Sequence, residues 1–204
     1  MILELRTYTV RPGTAPQTIE RFAAGLPART KVSPLAGFFQ AEAGPLNQLL
    51  LLWPYANLAE RERLRDVKVE GWPPNIREFL VELEVKILNP APFSPPVEPR
   101  EFGNLWEIRT YTYAPGSIPH VVKAWGEKIA GRQRFSPLAF AGSTEFGQQN
   151  LWVHIWPYKD WNDRTRARDE AAKSGAWPAR PGPEAVILRQ QNQFVSPTAQ
   201  SPWR

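Results

Sequence analysis

The chain has 204 residues, 42 % hydrophobic and 12 % aromatic, enough apolar surface for a packed core in one large or two small domains. Without cysteine there is no disulfide framework or thiolate chemistry, and His120 and His154 alone give no metal-ligand spacing. The formal charge of +5 is mild, and scattered arginine at that level predicts a solvated surface, with no nucleic-acid partner.

Ile2 enters a strand-like pattern at once, so no secretory leader is expected. The longest apolar run, Leu49–Trp53, is far too short to span a membrane, so the expectation is a cytoplasmic protein with no membrane partner. Along Ile2–Val10, Leu3, Leu5, Thr7 and Thr9 alternate with Glu4, Arg6 and Tyr8, giving one apolar and one functional face. Pro12-Gly13 turns the chain, and Pro16 opens a helix running to about Lys31, which Pro27 is expected to kink or shorten. Leu35–Ala43 and Asn47–Tyr55 read as a hairpin about Gly44-Pro45. Asn57 with Glu60 forms a capping box for a helix from Leu58 to about Val69, and Val81–Leu88 is the fourth strand. The order β-α-β-β-α-β is that of a ferredoxin-like unit.

Pro90, Pro92, Pro95, Pro96 and Pro99 then mark an extended connector. Beyond it the chain repeats itself. Glu4–Thr9 (ELRTYT) returns as Glu107–Thr112 (EIRTYT), 103 positions on, and the same offset carries Ser33-Pro34-Leu35 onto Ser136-Pro137-Leu138 and Trp53-Pro54-Tyr55 onto Trp156-Pro157-Tyr158. Arg61, Arg63 and Arg65 land on Arg164, Arg166 and Arg168, and Trp72-Pro73 returns as Trp177-Pro178 at an offset of 105. Such register over such a span means tandem duplication. Strands at Asn104–Tyr113, Leu138–Glu145, Asn150–Tyr158 and Glu184–Gln190 are expected, with helices at about Pro119–Arg134 and Trp161–Ser174. Residues 1–90 and 103–191 are therefore the two repeats, 91–102 a proline-rich linker and 192–204 a tail. Matching Ser196-Pro197 to Ser94-Pro95 makes the tail a second linker that packs loosely or frays.

The opening strand with Pro12-Gly13, the Gly44-Pro45-Leu46-Asn47-Gln48 turn, Trp53-Pro54-Tyr55 and Leu58-Ala59-Glu60-Arg61 resemble the NIPSNAP family over nearly the whole chain. The second copy keeps the frame, with His154 two residues before Trp156 where family members commonly place a histidine, whereas the first copy has Leu51. The resemblance implies the dimeric α/β-barrel superfamily, and hence an α+β fold in which two ferredoxin-like repeats pair their sheets into an α/β barrel within one chain. It implies no settled catalytic activity. Eukaryotic members are associated with mitochondria and protein partners, and the wider superfamily includes cofactor-independent monooxygenases and isomerase-like enzymes.

The expected facing of the strands turns the apolar set Leu3, Leu5, Leu50, Leu52, Ile108, Val153 and Ile155 towards the helices. Glu4, Arg6, Tyr8, Trp53, Glu107, Arg109, Tyr111, Trp152, His154 and Trp156 then point into the barrel interior. An interior lined by aromatics and a few polar groups suits a small molecule. The expected function is therefore small-molecule binding there or service as an interaction module, with a cofactor-independent monooxygenase- or isomerase-like enzyme as the alternative. The candidate site is Arg109, Tyr111, Asn150, Trp152 and Trp156 around His154, with Arg6, Tyr8, Asn47 and Trp53 as its weaker copy. His154 reads either as a core histidine or as a general base or ligand donor. Glu4–Arg6 and Glu107–Arg109 read first as ion pairs within a strand. The arginine triplets, interleaved with acids, read as a salt-bridged helix surface. There is no glycine-rich phosphate loop and no Gly-x-Ser-x-Gly elbow, so no cofactor is expected. A further C2 homodimer through helix or edge surfaces would be the natural assembly.

Overall fold

The computed structural model describes residues 1–204. The first half runs β1 (Ile2–Val10), α1 (Ala15–Arg29), β2 (Gly37–Ala43), β3 (Gln48–Tyr55), α2 (Leu58–Asp66) and β4 (Leu80–Pro90). The second runs β5 (Leu105–Tyr113), α3 (Ile118–Arg132), β6 (Phe140–Phe146), β7 (Leu151–Tyr158), α4 (Trp161–Lys173) and β8 (Ile187–Pro197). Local chemistry sets these elements. Asn57 and Asp160 accept the backbone N–H of Glu60 and Asp163, and those acids reach back to the N–H groups of Ala56 and Lys159, closing a capping box at the start of α2 and of α4. Pro27 is accommodated inside α1, which ends two residues later. Asn47 and Asn150 hold φ of 56° and 58° at the two hairpin turns, the left-handed region that asparagine tolerates.

All eight strands form one closed antiparallel barrel in the order β1-β3-β2-β8-β5-β7-β6-β4. Within each half the order is ferredoxin-like, and the halves join twice, through β2 with β8 and through β4 with β6. The register repeats faithfully: Glu4 faces Trp53 across β1–β3, and Glu107 faces Trp156 across β5–β7. No helix is long and apolar enough to cross a membrane.

Two expectations are corrected. First, the strand faces are the other way round. Leu3, Leu5, Leu50, Leu52, Ile108, Val153 and Ile155 form one buried cluster with Phe39, Phe140 and Trp106, drawn from both halves with no helical residue among them. That cluster is the barrel interior. The Glu4 and Glu107 faces lie under the helices, where Tyr8 meets Phe22 of α1 at 5.1 Å and Arg164 of α4 bonds Glu107. The reason is twofold: an eight-stranded barrel has room inside for little more than interlocking side chains, and the helices bring the cations that the buried glutamates need.

Second, the tail does not fray. β8 runs to Pro197, which pairs with Phe39 as Pro90 pairs with Gly142, so Ser201-Pro202 and not Ser196-Pro197 is the counterpart of Ser94-Pro95. The matching bonds are there: Ser94 Oγ accepts the N–H of Ala141, and Ser201 Oγ that of Phe38. Trp203 is 1 % exposed and stacks on Trp106 at 5.4 Å, sealing one end of the barrel.

Candidate functional site

On β5 the alternation sends Glu107, Arg109, Tyr111 and Tyr113 to the helix side. On β7 it sends Trp152, His154 and Trp156 there, with Arg109 directly opposite His154. From above, α3 lowers Trp125 and Arg132, α4 lowers Arg164 and Arg168, and the loop after α4 brings Trp177 and Arg180. Between these layers lies a cavity of about 670 Å³, lined among others by Arg109, Tyr111, Trp125, His154, Trp156 and Trp177.

The cavity rests on an ion cluster. Glu107 is fully buried, and its Oε1 accepts from Arg109 Nη1 at 2.8 Å, Arg164 Nη2 at 2.8 Å and Asn192 Nδ2 at 3.1 Å. Arg164 Nε reaches Oε2 at 3.1 Å, and Arg168 Nη1 lies 3.9 Å from it. Burial pushes the Glu107 carboxyl up, but the Arg164 hydrogen bonds and the Arg109 charge outweigh it, so the group titrates below the ordinary range. Glu4 has the same partners in the first half: Arg6, Arg61 and Arg65. The ion pairs within each strand are thus present. The arginine triplets are only partly a surface, because Arg61, Arg65, Arg164 and Arg168 turn inward, while Arg166 bridges Asp163 and Glu170 outside.

His154 is 3 % exposed. The indole N–H of Trp156 donates to its Nδ1 at 2.6 Å, and its Nε2 has no partner. Burial, then the charges of Arg109, Arg168 and Arg132, hold the imidazole well below its ordinary value, so it is neutral. An indole N–H can only donate; Nδ1 is therefore the acceptor, and the neutral ring carries its proton on Nε2. The ring offers the cavity a donor, not a lone pair. Arg109 commits Nε to Tyr111 Oη at 2.7 Å and Nη1 to Glu107, which leaves Nη2 without a protein partner. Arg132 bonds Ser136 Oγ and Tyr158 Oη and lies 4.4 Å from the Trp156 ring centroid.

Of the residues singled out from sequence, Arg109, Tyr111, His154 and Trp156 line this cavity together. Trp152 is buried behind it, 5.2 Å from Trp125. Asn150 sits at the hairpin turn, its carbonyl accepting the N–H of Tyr113, and Asn47 does the same for Val10; neither lines the cavity. Arg6, Tyr8 and Trp53 occupy the matching layer of the first half, where Tyr8, Leu51 and Trp53 belong to a closed apolar cluster with Phe22, Phe38 and Ile76. Sequence reasoning missed Trp125, Arg132, Arg168 and Arg180 as cavity residues. A signal existed for Arg132, which repeats Arg29 at the end of the preceding helix.

A second cavity, of about 410 Å³, opens at the end of the barrel away from Trp203, among Thr7, Thr110, Gln191 and Gln193. None of its lining side chains is a buried polar group without a partner.

The NIPSNAP family model matches residues 3–95 and 106–202, one copy on each half. A NipSnap homologue of Dictyostelium discoideum is 30 % identical over 86 % of this chain and 78 % of its own length. Two solved structures share the whole barrel at identities that carry the fold alone. One, from Lactobacillus acidophilus NCFM and provisionally described as a monooxygenase, has a TM-score of 0.67 at 8 % identity, covering 96 % of this chain and 93 % of that one. The other, an anthrone oxidase-like protein, has a TM-score of 0.65 at 10 % identity, covering 98 % and 93 %. With both halves matched by the same family model, and with both folded into one barrel, the chain belongs to the NIPSNAP family.

Proposed function

We propose that the protein binds a small organic molecule in the second half's cleft, between β5/β7 and the helices α3 and α4, and that the first half completes the barrel as a structural partner. The observation that carries this reading is the His154 Nε2–H: a buried donor without a partner, on the wall of a cavity large enough for a ligand. A native fold leaves such a group unpaired at a cost of about 1–3 kcal/mol, which a ligand acceptor would offset.

The rival reading, a cofactor-independent monooxygenase or isomerase, needs His154 to take a proton from substrate. Two features oppose it. The lone pair of the neutral ring is engaged by Trp156, and three arginines disfavour the imidazolium that proton uptake would create. Binding without nucleic acid also fits the charge distribution, because the inward arginines of α2 and α4 are engaged by buried glutamates.

The test is a thermal-shift screen of small neutral, cationic and anionic organic molecules. It compares the full chain with the double variant His154→Leu/Pro181→Ile, which brings in the Leu51 and Ile76 of the filled half. Compounds that bind should raise the melting temperature of the wild type, quench its cleft tryptophans and lose both effects in the double variant. Stabilisation that survives the double variant would place binding elsewhere and end this reading.

A further inference from the structure

We propose that the ligand of this cleft is a planar aromatic carboxylate, its carboxylate held by the His154 Nε2–H and the free Nη2 of Arg109 and its ring by the tryptophan walls. The inference rests on the reading of the cleft as a binding site and adds the chemical class.

Charge comes first. Arg109, Arg132, Arg168 and Arg180 line the cavity, and no aspartate or glutamate does. The one acid beneath them, Glu107, already receives Arg164 through two hydrogen bonds and Arg109 through a third. One carboxylate cannot neutralise that many guanidiniums, so the cleft holds a positive excess with low-dielectric walls, which concentrates anions and repels cations. Arg180 stands on the exposed loop at the rim with no acid paired to it, placed to meet the charge of an entering ligand.

Donor geometry narrows the class. The lining histidine and arginines keep N–H donors without a hydrogen-bond partner: His154 through Nε2, Arg109 through Nη2, and the guanidiniums of Arg168 and Arg180. A ligand headgroup must therefore be made of acceptors. A carboxylate offers two coplanar oxygens, one for the Arg109 Nη2–H and one for the imidazole N–H.

The walls describe the remainder. Trp125 packs edge-on to Trp177 at 4.7 Å, and Trp156 lies 6.2 Å from Trp177, so flat faces and edges bound the space. Such surfaces favour offset or edge-on contact with another ring. A cavity of about 670 Å³ accommodates one or two fused rings with their headgroup.

The experiment is isothermal titration of the full chain with 2-naphthoate, 2-naphthamide and 2-naphthyl phosphate. 2-Naphthoate is expected to bind at least about tenfold more tightly than the amide, the margin of a desolvated charge-assisted contact. Arg180→Ala, which touches no core contact, should weaken 2-naphthoate severalfold and leave the amide unchanged. His154→Phe should lose the acid-over-amide preference, and His154→Gln, which restores an N–H donor, should recover part of it. Equal affinity for acid and amide overturns the carboxylate class while leaving the cleft as a binding site, and tighter binding of the phosphate does the same. If none of the three binds, the aromatic carboxylate is wrong, and the broader screen against the double variant decides the cleft by itself.

Discussion

The two halves share a frame and differ in what fills it. Both bury a glutamate under three arginines, both stand a tyrosine two residues beyond the strand arginine, and both end the first helix on a buried arginine. In the first half the layer between sheet and helices is solid. Phe22 touches Tyr8, Phe38 and Trp72 at 5.1–5.8 Å, with Leu51 and Ile76 packed among them. In the second half Ala141 stands where the first has Phe38, and His154 where it has Leu51. After the shared Trp-Pro the loop reads Ala179-Arg180-Pro181 where the first reads Pro74-Asn75-Ile76. Volume is redistributed in the layer: Phe22 and Leu49 give way to the larger Trp125 and Trp152, while Leu51 and Ile76 give way to His154 and Pro181. The cavity lies where these last two stand. What the halves have in common is therefore architecture, and function is to be sought in the few positions where they part.

The sharpest way to break that comparison is to attack the shared part. Glu4→Ala and Glu107→Ala each strand buried arginines, a loss of about 3–5 kcal/mol for a fully buried pair. The partner side chains here remain 13–37 % exposed, which screens them and places the expected cost near the low end, about 3 kcal/mol. If the cluster is architecture, the two losses measured by urea unfolding should agree within about 1 kcal/mol. A loss confined to Glu107→Ala would tie that cluster to the site alone.

The unshared part offers the next test, a reciprocal swap. Leu51→His inserts an imidazole into a filled apolar layer and is expected to cost about 2 kcal/mol. His154→Leu removes an unpartnered N–H but leaves the Trp156 indole without its acceptor, so its net effect at neutral pH should stay within about 1 kcal/mol. Equal costs in both directions, read by the same unfolding curves, would mean that the first-half layer is not solid.

Much of this was legible in the sequence. The duplication, all twelve elements and the division of each strand into two faces came from spacing and alternation. The choice of which face turns inward did not, because a period of two is symmetric and only the partner layer decides it. The deciding information lay in α2 and α4, where Arg61/Arg65 and Arg164/Arg168 recur four apart on one helix face. Acids beside them in sequence made them look like a solvated surface, yet the carboxylate that Arg61 and Arg164 bond lies 57 residues away along the chain. Local sequence does not say which of two acids wins. The tail was misread for a related reason: further residues enter between Trp177 and β8, so Ser201-Pro202 lies beyond the frame that pairs Ser196-Pro197 with Ser94-Pro95. Trp125, Arg168 and Arg180 come from helices and a loop, and only the folded layer brings them over His154.

The smallest expected effect separates the halves by pH. His154 is held neutral in the native state by burial and by Arg109, Arg168 and Arg132, with no acid among the residues that line its cavity. In the unfolded chain the imidazole takes up a proton near pH 6.5. Below that pH the unfolded state therefore binds a proton that the native state refuses, and stability must fall as pH falls. Above about pH 6.5 the two states bind equally and the effect vanishes. By pH 5.5 the wild type should have lost more than His154→Leu, by at most about 1.4 kcal/mol, and the gap should keep widening until the native imidazole itself takes up a proton. Glu107, whose native value is also depressed, acts in a lower window: its contribution is complete above the ordinary carboxylate range near pH 4.3 and drains away only below it, so the two do not overlap at pH 5.5. Subtracting variant from wild type at each pH isolates the imidazole, and the first half, with leucine at position 51, supplies no such term. Parallel stability curves for wild type and His154→Leu between pH 7 and 5.5 would mean that His154 is reached by solvent or paired with an acid, and the neutral donor assigned to the cleft would have to be given up.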